Sequence, residues 1–230
     1  MTLDLELFAY AIPVLLTGAL FTLKIGLAIA AACLVLGALL TIPLSSRNRF
    51  VSGLARAYIA AMRGTPPLIL ILISFYVLPA VGLLLSPALS GATALSLYFT
   101  AYVATAIRGA IASIEAGQIE AALCIGMGWR QRLLRILLPQ AWPVVLPALV
   151  GLMIGLFKET ALLSVISVPE LTFQTKQAVA RTYAPFEIYL LAALAYWLWS
   201  AVLEALGRRL ESRATRFRRP RPMLTKGTAQ

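Results

Sequence analysis

The chain has 230 residues, of which 60% are hydrophobic and 13% are charged, and its formal net charge is +11; soluble domains are about 45–50% apolar and about 25% charged. It has no histidine and two cysteines, which excludes histidine-based catalysis, zinc sites of the usual kind and a disulfide framework. The basic residues lie between long apolar runs rather than on a polar face, which argues against a nucleic-acid binder and indicates an integral membrane protein.

The N-terminal residues 5–20 are apolar, and we interpret them as a segment that lies along the outer membrane interface before the first span begins near Leu20. This apolar run is too long for a cleaved signal peptide and has no basic region before it, so we keep it as part of the fold. Lys24 then lies at the outer end of the first span, where its ammonium group can reach water; a role in transport is the alternative.

Charge-free intervals predict five membrane crossings. A helix that crosses about 30 Å of hydrocarbon needs about 20 mostly apolar residues. The uncharged intervals are 25–46, 64–107, 136–157 and 188–203, and the last extends to about Pro185 and Gly207. The second interval is long enough for two crossings, with a turn at about 79–91, where prolines and glycines concentrate. The predicted fold class is therefore all-α, a bundle of five transmembrane helices.

The basic residues predict the orientation of these crossings, because cationic connections stay in the cytoplasm. The connections at 79–91 and 167–186 are neutral or nearly balanced and are predicted to be external. Five crossings with the N-terminus outside and the C-terminus inside satisfy every connection. The cationic connections contain Arg47, Arg49, Arg56 and Arg63, then Arg108, Arg130, Arg132 and Arg135, and finally the bases after Glu204.

We divide the chain into a transmembrane domain, residues 1–215, and a basic cytoplasmic tail, residues 216–230, that we predict to be disordered. The stretch from Arg208 to Arg221 follows the last span directly. It is interpreted as a topology anchor that meets anionic lipid headgroups, with a nucleic-acid arm as the alternative.

The cytoplasmic connection at 113–140 has the pattern of a helix, a turn and a second helix. Residues 118–123 favour a short helix, with Glu120 near its start, where a carboxylate complements the helix dipole. Ala121 and Ala122 keep the surface of this helix narrow, and Gly126 lets the chain reverse. Taken alone, the pattern fits an interfacial pair of helices as well as a narrow projection that enters a groove on a partner.

A second helix is predicted from Arg130 to Leu138, and we expect Pro139 and Pro143 to end it. Its bases would face lipid headgroups and its leucines the apolar interior.

The order of residues in this connection resembles the EAA loop of ABC importer permeases. The matching elements are Glu120-Ala121-Ala122, Gly126 and Ile136-Leu137-Leu138-Pro139. Three further stretches, at 63–67, 102–118 and 157–171, are similar to spans and to the solute-gate segment of polar amino acid permeases of the histidine, glutamine and arginine type. The resemblance extends from about Gly18 to Glu211.

The resemblance implies a type I ABC importer permease fold in the bacterial inner membrane. It also implies a second permease copy or a related permease, ABC ATPase subunits that contact Glu120, Ala121, Ala122 and Gly126, and a periplasmic or lipid-anchored solute-binding protein. No lysine precedes serine or threonine, so a phosphate-binding loop is absent from the sequence. We therefore expect no catalysis and no cofactor or metal in this chain, with ATP and Mg bound by the partner ATPase. Membrane lipids are expected partners, and nucleic acid is not.

The resemblance places the solute pathway near Lys158, Glu159 and Thr160, with Thr65 as a further candidate. A salt bridge that fixes helix packing is the equal alternative for the two charged residues. Arg63 and Arg108 are interpreted as anchors at the cytoplasmic edge. Thr65 is also interpreted as an N-cap that precedes Pro66 at the first helical position.

Gly151 and Gly155 form a small-xxx-small pair, which predicts close helix packing or a contact between subunits.

Two departures from the family pattern leave the solute class open. Residues 104–107 lack the glutamate that the family often has before Arg-Gly, and Glu159 stands where aspartate is commoner. Charges near a permeation path help to select the solute, so a compatible solute such as ectoine is an alternative to a polar amino acid. A secondary transporter is a weaker alternative, since the sequence has no internal repeat. If the chain is instead a scaffold or lipid-binding protein, the match between the residues from Glu120 to Pro139 and the EAA loop is accidental.

Overall fold

The computed structural model describes residues 5–215, except for the side chains of Leu5 and Thr215. Within this range every regular element is helical, which confirms the all-α prediction. The predicted tail at 216–230 lies outside the described residues. The α-helices are α1 (Leu5–Leu44), α2 (Arg49–Gly64), α3 (Pro67–Leu72), α4 (Pro87–Ala112), α5 (Ala116–Cys124), α6 (Trp129–Arg132), α7 (Leu138–Glu159), α8 (Leu171–Thr182) and α9 (Pro185–Thr215).

Two π-helical turns and two 3-10 turns complete these helices. The segments Ile73–Val77 and Leu78–Val81 extend α3. The π-helical turn Leu133–Leu137 joins α6 to α7, and the 3-10 turn Thr160–Ile166 follows α7.

Four of the five predicted crossings correspond to long apolar helices, at Glu6–Leu44, Pro87–Ala112, Trp129–Ile166 and Pro185–Ala214. The remaining crossing corresponds to a bent pair, Arg49–Gly64 and Pro67–Val81, whose axes differ by 103°. The structure thus provides up to five crossings if the bent pair counts as one, and that crossing is bent rather than a straight helix.

Residues 5–20 form the first half of α1, so the prediction of a separate interfacial segment is wrong. Their apolar face is buried because it packs on α8 and α9: Ala11 contacts an apolar cluster with Ala178 and Ile188. Leu15 and Leu171 belong to a second such cluster one turn further along. Burial of this face against the bundle favours a continuous helix over a helix parallel to the membrane.

The arginine-rich segment after α1, which was predicted as a loop, contains the amphipathic helix α2. The Asn48 side chain caps this helix by accepting hydrogen bonds from the backbone N–H of Phe50 at 2.9 Å and of Val51 at 3.4 Å. One face buries Ala55 against α1 and α4, whereas Phe50 on another face is 81% exposed. The following Pro66 ends the helix, since a residue before proline avoids helical geometry.

The helix that was predicted to end at Pro139 instead continues through α7, with Pro143 and Pro147 inside it. The π-helical turn before Pro139 explains the difference, because the backbone N–H of Leu138 donates to the carbonyl of Leu133, five residues earlier. Such a wide turn accommodates a proline ring at the start of the next segment. Prolines within spans are also tolerated where neighbouring helices satisfy the freed backbone groups.

The core of the bundle lies where α1, α4 and α7 meet, and α9 packs against its outer side. Ile29, Val103 and Leu156 are fully buried in the main apolar cluster. Gly26 of α1 lies directly on the ring of Phe157, so that a Cβ there would be 2.5 Å from the ring. The Phe157 ring stacks in turn on Trp199 of α9, with centroids 6.2 Å apart.

The connection at 167–186, which was predicted as an external loop, contains α8. Glu170 starts this helix as its N-cap, because its carboxylate accepts the backbone N–H of Thr172 at 2.9 Å and of Phe173 at 2.7 Å. The Tyr196 hydroxyl of α9 donates to the same carboxylate at 2.9 Å. Glu170 is fully buried, and this desolvation raises the pKa of its carboxyl group, while the three hydrogen bonds act in the opposite direction.

Candidate functional site

The α5 helix of the connection at 113–140 stands away from the rest of the described bundle, with only minor contacts to the other helices. Glu120 and Ala121 are exposed on its surface. Leu123, Ile125 and Trp129 are 53%, 76% and 62% exposed, although each is large and apolar. A projecting helix with uncovered apolar side chains has the character of a docking surface.

Gly126 ends α5 in a left-handed conformation, with a φ angle of +74°. The backbone N–H of Gly126 donates to the carbonyl of Leu123 at 2.9 Å, and that of Met127 donates to the carbonyl of Ala122 at 3.0 Å. This pair of hydrogen bonds defines a Schellman motif, in which glycine is preferred because it carries no Cβ. The predicted reversal at Gly126 therefore has a specific backbone geometry.

The two alanines of the loop have different environments. Ala122 is 2% exposed, whereas Ala121 is exposed. A larger side chain at Ala122 would disturb the loop itself, while one at Ala121 would change the docking surface. Glu120 lies beyond the first turn of α5, so its predicted interaction with the N-terminal helix dipole is wrong. Its exposed position leaves it available to a partner.

Lys158 and Glu159 point toward different parts of the molecule. Lys158 lines a cavity of about 410 Å³ together with Tyr196 and Trp197 of α9. Glu159 is partly buried and interacts electrostatically with Tyr98 of α4. Among residues 5–215 neither of them forms a salt bridge, so the packing alternative has no support within the described chain.

Thr160 is fully buried, and its hydroxyl donates to the carbonyl of Phe157 at 2.7 Å. This local hydrogen bond stabilises the end of α7, so the hydroxyl is already engaged in the described conformation.

Thr65 occupies the C-terminal end of α2, where its hydroxyl donates to the carbonyl of Ala61 at 2.9 Å. Pro66 precedes α3, and Pro67 is its first residue, so the prediction of Thr65 as an N-cap is wrong. Within the part of the chain that the structure describes, no hydrogen bond or ion pair joins Thr65 to residues 158–160.

A polar cluster that the sequence did not predict lies between α2, α4 and the end of α7. The hydroxyl groups of Tyr98 and Tyr102 are 3.0 Å apart, and the guanidinium carbon of Arg63 lies 5.2 Å from the centroid of the Tyr102 ring. Tyr98 interacts electrostatically with both Arg63 and Glu159. Arg63 and the two phenols thus lie together, and the carboxylate of Glu159 is within electrostatic range of Tyr98.

Arg63 and Tyr102 also line a cavity of about 590 Å³, together with Thr105, Arg56 and Arg108. Arg63 and Arg108, interpreted from the sequence as edge anchors, thus both face one cavity. The signal in the sequence was the pair of tyrosines four residues apart in an otherwise apolar span, which places both on one helix face.

Gly151 and Gly155 do not mediate packing within the described chain, because a Cβ at either position would meet no atom within 4 Å. Close helix packing occurs instead at other glycines, such as Gly26. A contact between subunits at Gly151 and Gly155 stays a prediction.

The chain matches a protein family over residues 34–216, and the family is described as binding-protein-dependent transport system inner membrane component. Among curated proteins, it is 34% identical over 212 residues to the arginine transport system permease protein ArtQ of Bacillus subtilis (strain 168), covering 92% of this chain and 97% of ArtQ. It is 34% identical over 206 residues to the L-cystine transport system permease protein TcyB of the same organism, covering 89% of this chain and 88% of TcyB.

A similar fold occurs in a crystal structure of an amino acid ABC transporter with histidines. The TM-score is 0.86 at 30% sequence identity, and the alignment covers 93% of this chain and 100% of the other.

Proposed function

This chain belongs to the family of binding-protein-dependent transport system inner membrane components, and from that membership we propose that it is the permease subunit of an ATP-driven importer for a polar amino acid. The observation that carries the proposal is the projecting helix α5, which presents the Glu120-Ala121-Ala122 pattern and the Gly126 turn on an uncovered surface. A transport component whose energy comes from a separate protein needs a surface to which that protein can bind.

In this proposal each α5 helix docks in a groove on an ABC ATPase subunit, which holds ATP and Mg. Two permease copies, or this chain and a related permease, enclose the pathway, because five helices surround a central cavity poorly. Closure of the ATPase pair on ATP moves the two α5 projections, and the spans turn from inward-open to outward-open. A solute-binding protein delivers the solute from outside.

The amino acid class is supported by two independent features. The relatives with known names transport arginine and L-cystine by their descriptions. The cluster of Arg63, Tyr98, Tyr102 and Glu159 offers a cation for a carboxylate and an anion for an ammonium group. A zwitterionic amino acid carries both groups.

We assign the solute contacts to Glu159 first, and we add Arg63, Tyr98 and Tyr102 to the residues that the sequence indicated. Lys158 belongs to the separate cavity at α9. Thr160 and Thr65 support the backbone around the pathway through their local hydrogen bonds.

The coupling role is tested by co-purification and transport. The permease is co-expressed with its ATPase and binding protein, and Glu120→Ala is compared with Glu115→Ala, an exposed glutamate at the N-cap of the same helix. Glu120→Ala is expected to reduce both ATPase retention and transport while membrane insertion stays normal, and Glu115→Ala is expected to behave like the original chain. Normal transport by Glu120→Ala would contradict the assignment of α5 as the coupling helix.

The solute class is tested with the partner binding protein. Its thermal stability is measured with a panel of polar amino acids and ectoine, and the compounds that stabilise it are then supplied to proteoliposomes that contain the complete importer. Uptake of an amino acid that depends on ATP supports the proposal. If ectoine alone stabilises the binding protein and ectoine alone is taken up, the solute is a compatible solute and not an amino acid.

A further inference from the structure

An apolar groove lies between α7 and α9, apart from the pathway and from α5. Its volume is about 530 Å³, and its back wall is formed by α1 and α4. Aliphatic side chains provide nearly the whole lining. Those that matter below are Ala38, Ile107, Leu149, Leu206 and Leu210.

A second cavity, of about 780 Å³, continues this groove toward the end of α9, and its lining includes a cationic side chain. It is lined by Leu138, Trp142 and Pro143 of α7 and by Arg213 of α9. The Trp142 side chain lines both cavities, so they share a boundary. On α9, Arg213 follows Leu210 by three residues, which places the guanidinium group on the same face, one turn beyond the apolar lining.

The cleft lies at the end of α9, where the last span is predicted to end near Gly207. On α9 the lining extends from Leu203 to Arg213, which corresponds to about 15 Å at 1.5 Å per residue. Leu203 and Leu206 thus lie within the predicted span, and Arg213 lies about 9 Å beyond its end, at the level of lipid headgroups.

This arrangement selects an amphiphile with a negative head. An acyl chain would satisfy the aliphatic lining, and a phosphate would complement Arg213. Under the predicted orientation the end of α9 lies in the cytoplasm, where the leaflet carries anionic lipids. A protein segment in the same place would have to bring its own anion to Arg213, and an extended segment would also leave its backbone polar groups unpaired in the apolar groove.

We propose that the cleft between α7 and α9 binds one anionic phospholipid of the cytoplasmic leaflet, with an acyl chain along Leu149 and Leu206 and the phosphate at Arg213. The bound lipid fills the space between α7 and α9, and α7 continues from the coupling connection. The site therefore makes the importer sensitive to the headgroup composition of its membrane.

The test uses the complete importer, purified in detergent with equal parts of phosphatidylglycerol and phosphatidylcholine and examined by native mass spectrometry. Arg213→Gln removes the cation, and Arg209→Gln is its matched control, an exposed arginine on the same helix outside the cleft. Ala38→Phe fills the groove, and Ala28→Phe is the same exchange at an exposed position of α1 that does not line it.

We expect the original chain to retain phosphatidylglycerol in preference to phosphatidylcholine. Arg213→Gln should reduce this preference about five-fold, the factor that corresponds to about 1 kcal/mol for one base near a headgroup. Ala38→Phe should reduce retention of both lipids, and the two controls should match the original chain. Correct assembly is checked for each variant by size-exclusion chromatography.

Equal retention of the two lipids by the original chain would overturn the proposal, as would an equal loss in Arg209→Gln and Arg213→Gln. Absence of any retained lipid from an intact complex would indicate that a second copy, the ATPase or residues 216–230 fill the cleft, and would also overturn it.

Discussion

Gly126 combines a φ angle of +74° with open space around its Cα, so that its role is conformational and not one of packing. Replacement by alanine places a Cβ in the left-handed region, at a cost of about 1 kcal/mol or more. We expect Gly126→Ala to loosen the end of α5 and to lower ATP-dependent transport several-fold, measured in proteoliposomes with the ATPase present at saturating ATP.

The adjacent Gly128 supplies the matched control. It lies in the same turn with an equally open Cβ direction, but its φ angle is −67°, which any residue adopts. Gly128→Ala should therefore transport normally. If the two variants lose activity equally, the backbone conformation of Gly126 is not what the loop requires.

Glu159 is the residue whose charge the proposed pathway depends on most. We expect Glu159→Gln to raise the KM for the amino acid about ten-fold, since a hydrogen bond to a charged group contributes about 1.5–3 kcal/mol. Tyr98→Phe removes a hydroxyl that is 3.0 Å from that of Tyr102 and should have a smaller effect of the same kind. Uptake kinetics at varied solute concentration measure both.

Tyr76→Phe is a suitable control, because Tyr76 is 65% exposed and lies on the extension of α3. An unchanged KM in Glu159→Gln, with normal uptake, would remove Glu159 from the pathway.

The residues of the coupling loop could be predicted because their pattern is local. Glu120, Ala121, Ala122 and Gly126 lie within seven positions, and one helix and one turn are enough to arrange them. The cluster around Tyr98 could not be predicted in the same way. Arg63, Tyr98 and Glu159 are far apart in the sequence, and they meet only because α2 crosses α4 beside the end of α7.

At the scale of helices, α1 and α7 approach closely because Gly26 lies on Phe157. The Phe157 ring has little freedom to move, since it stacks on Trp199. We expect Gly26→Ala to destabilise the protein by about 1–3 kcal/mol, the usual cost of overpacking. Thermal denaturation in detergent, followed by size-exclusion chromatography, measures the change.

Gly109→Ala in α4 should have the opposite effect and stabilise the protein. No atom lies within 4 Å of a Cβ there, and alanine is favoured over glycine within a helix by about 0.5–1 kcal/mol. Destabilisation by both variants to the same extent would show that the close approach at Gly26 is not limiting.

The long spans could be predicted because a run of about 20 consecutive apolar residues rarely forms anything other than a membrane-spanning helix. The elements α2 and α8 could not, since their polar composition is equally typical of loops. Their helicity depends on Asn48 and Glu170 as caps and on burial of one face against the bundle. Pro139 was misleading for a similar reason, because the π-helical turn that accommodates it has no sequence signature of its own.

At the scale of the whole molecule, the two cysteines report on orientation. Cys124 is exposed at the end of α5, and Cys33 is buried in the core. If the N-terminus is outside and α5 is in the cytoplasm, a membrane-impermeant maleimide should label Cys124 in inside-out vesicles and not in right-side-out ones. Mass spectrometry of the modified peptides identifies the labelled residue.

Cys124→Ser should abolish this labelling, and Cys33→Ser should leave it unchanged. Modification of Cys124 in sealed right-side-out vesicles would reverse the proposed topology.

The length of α1 has a consequence for how motion crosses the membrane. Its 40 residues extend about 60 Å, twice the thickness of the hydrocarbon. One rod thus joins the neighbourhood of α2 at one end to α8 at the other. If α1 tilts as one rigid helix about a point near the middle of the membrane, its two ends move in opposite directions.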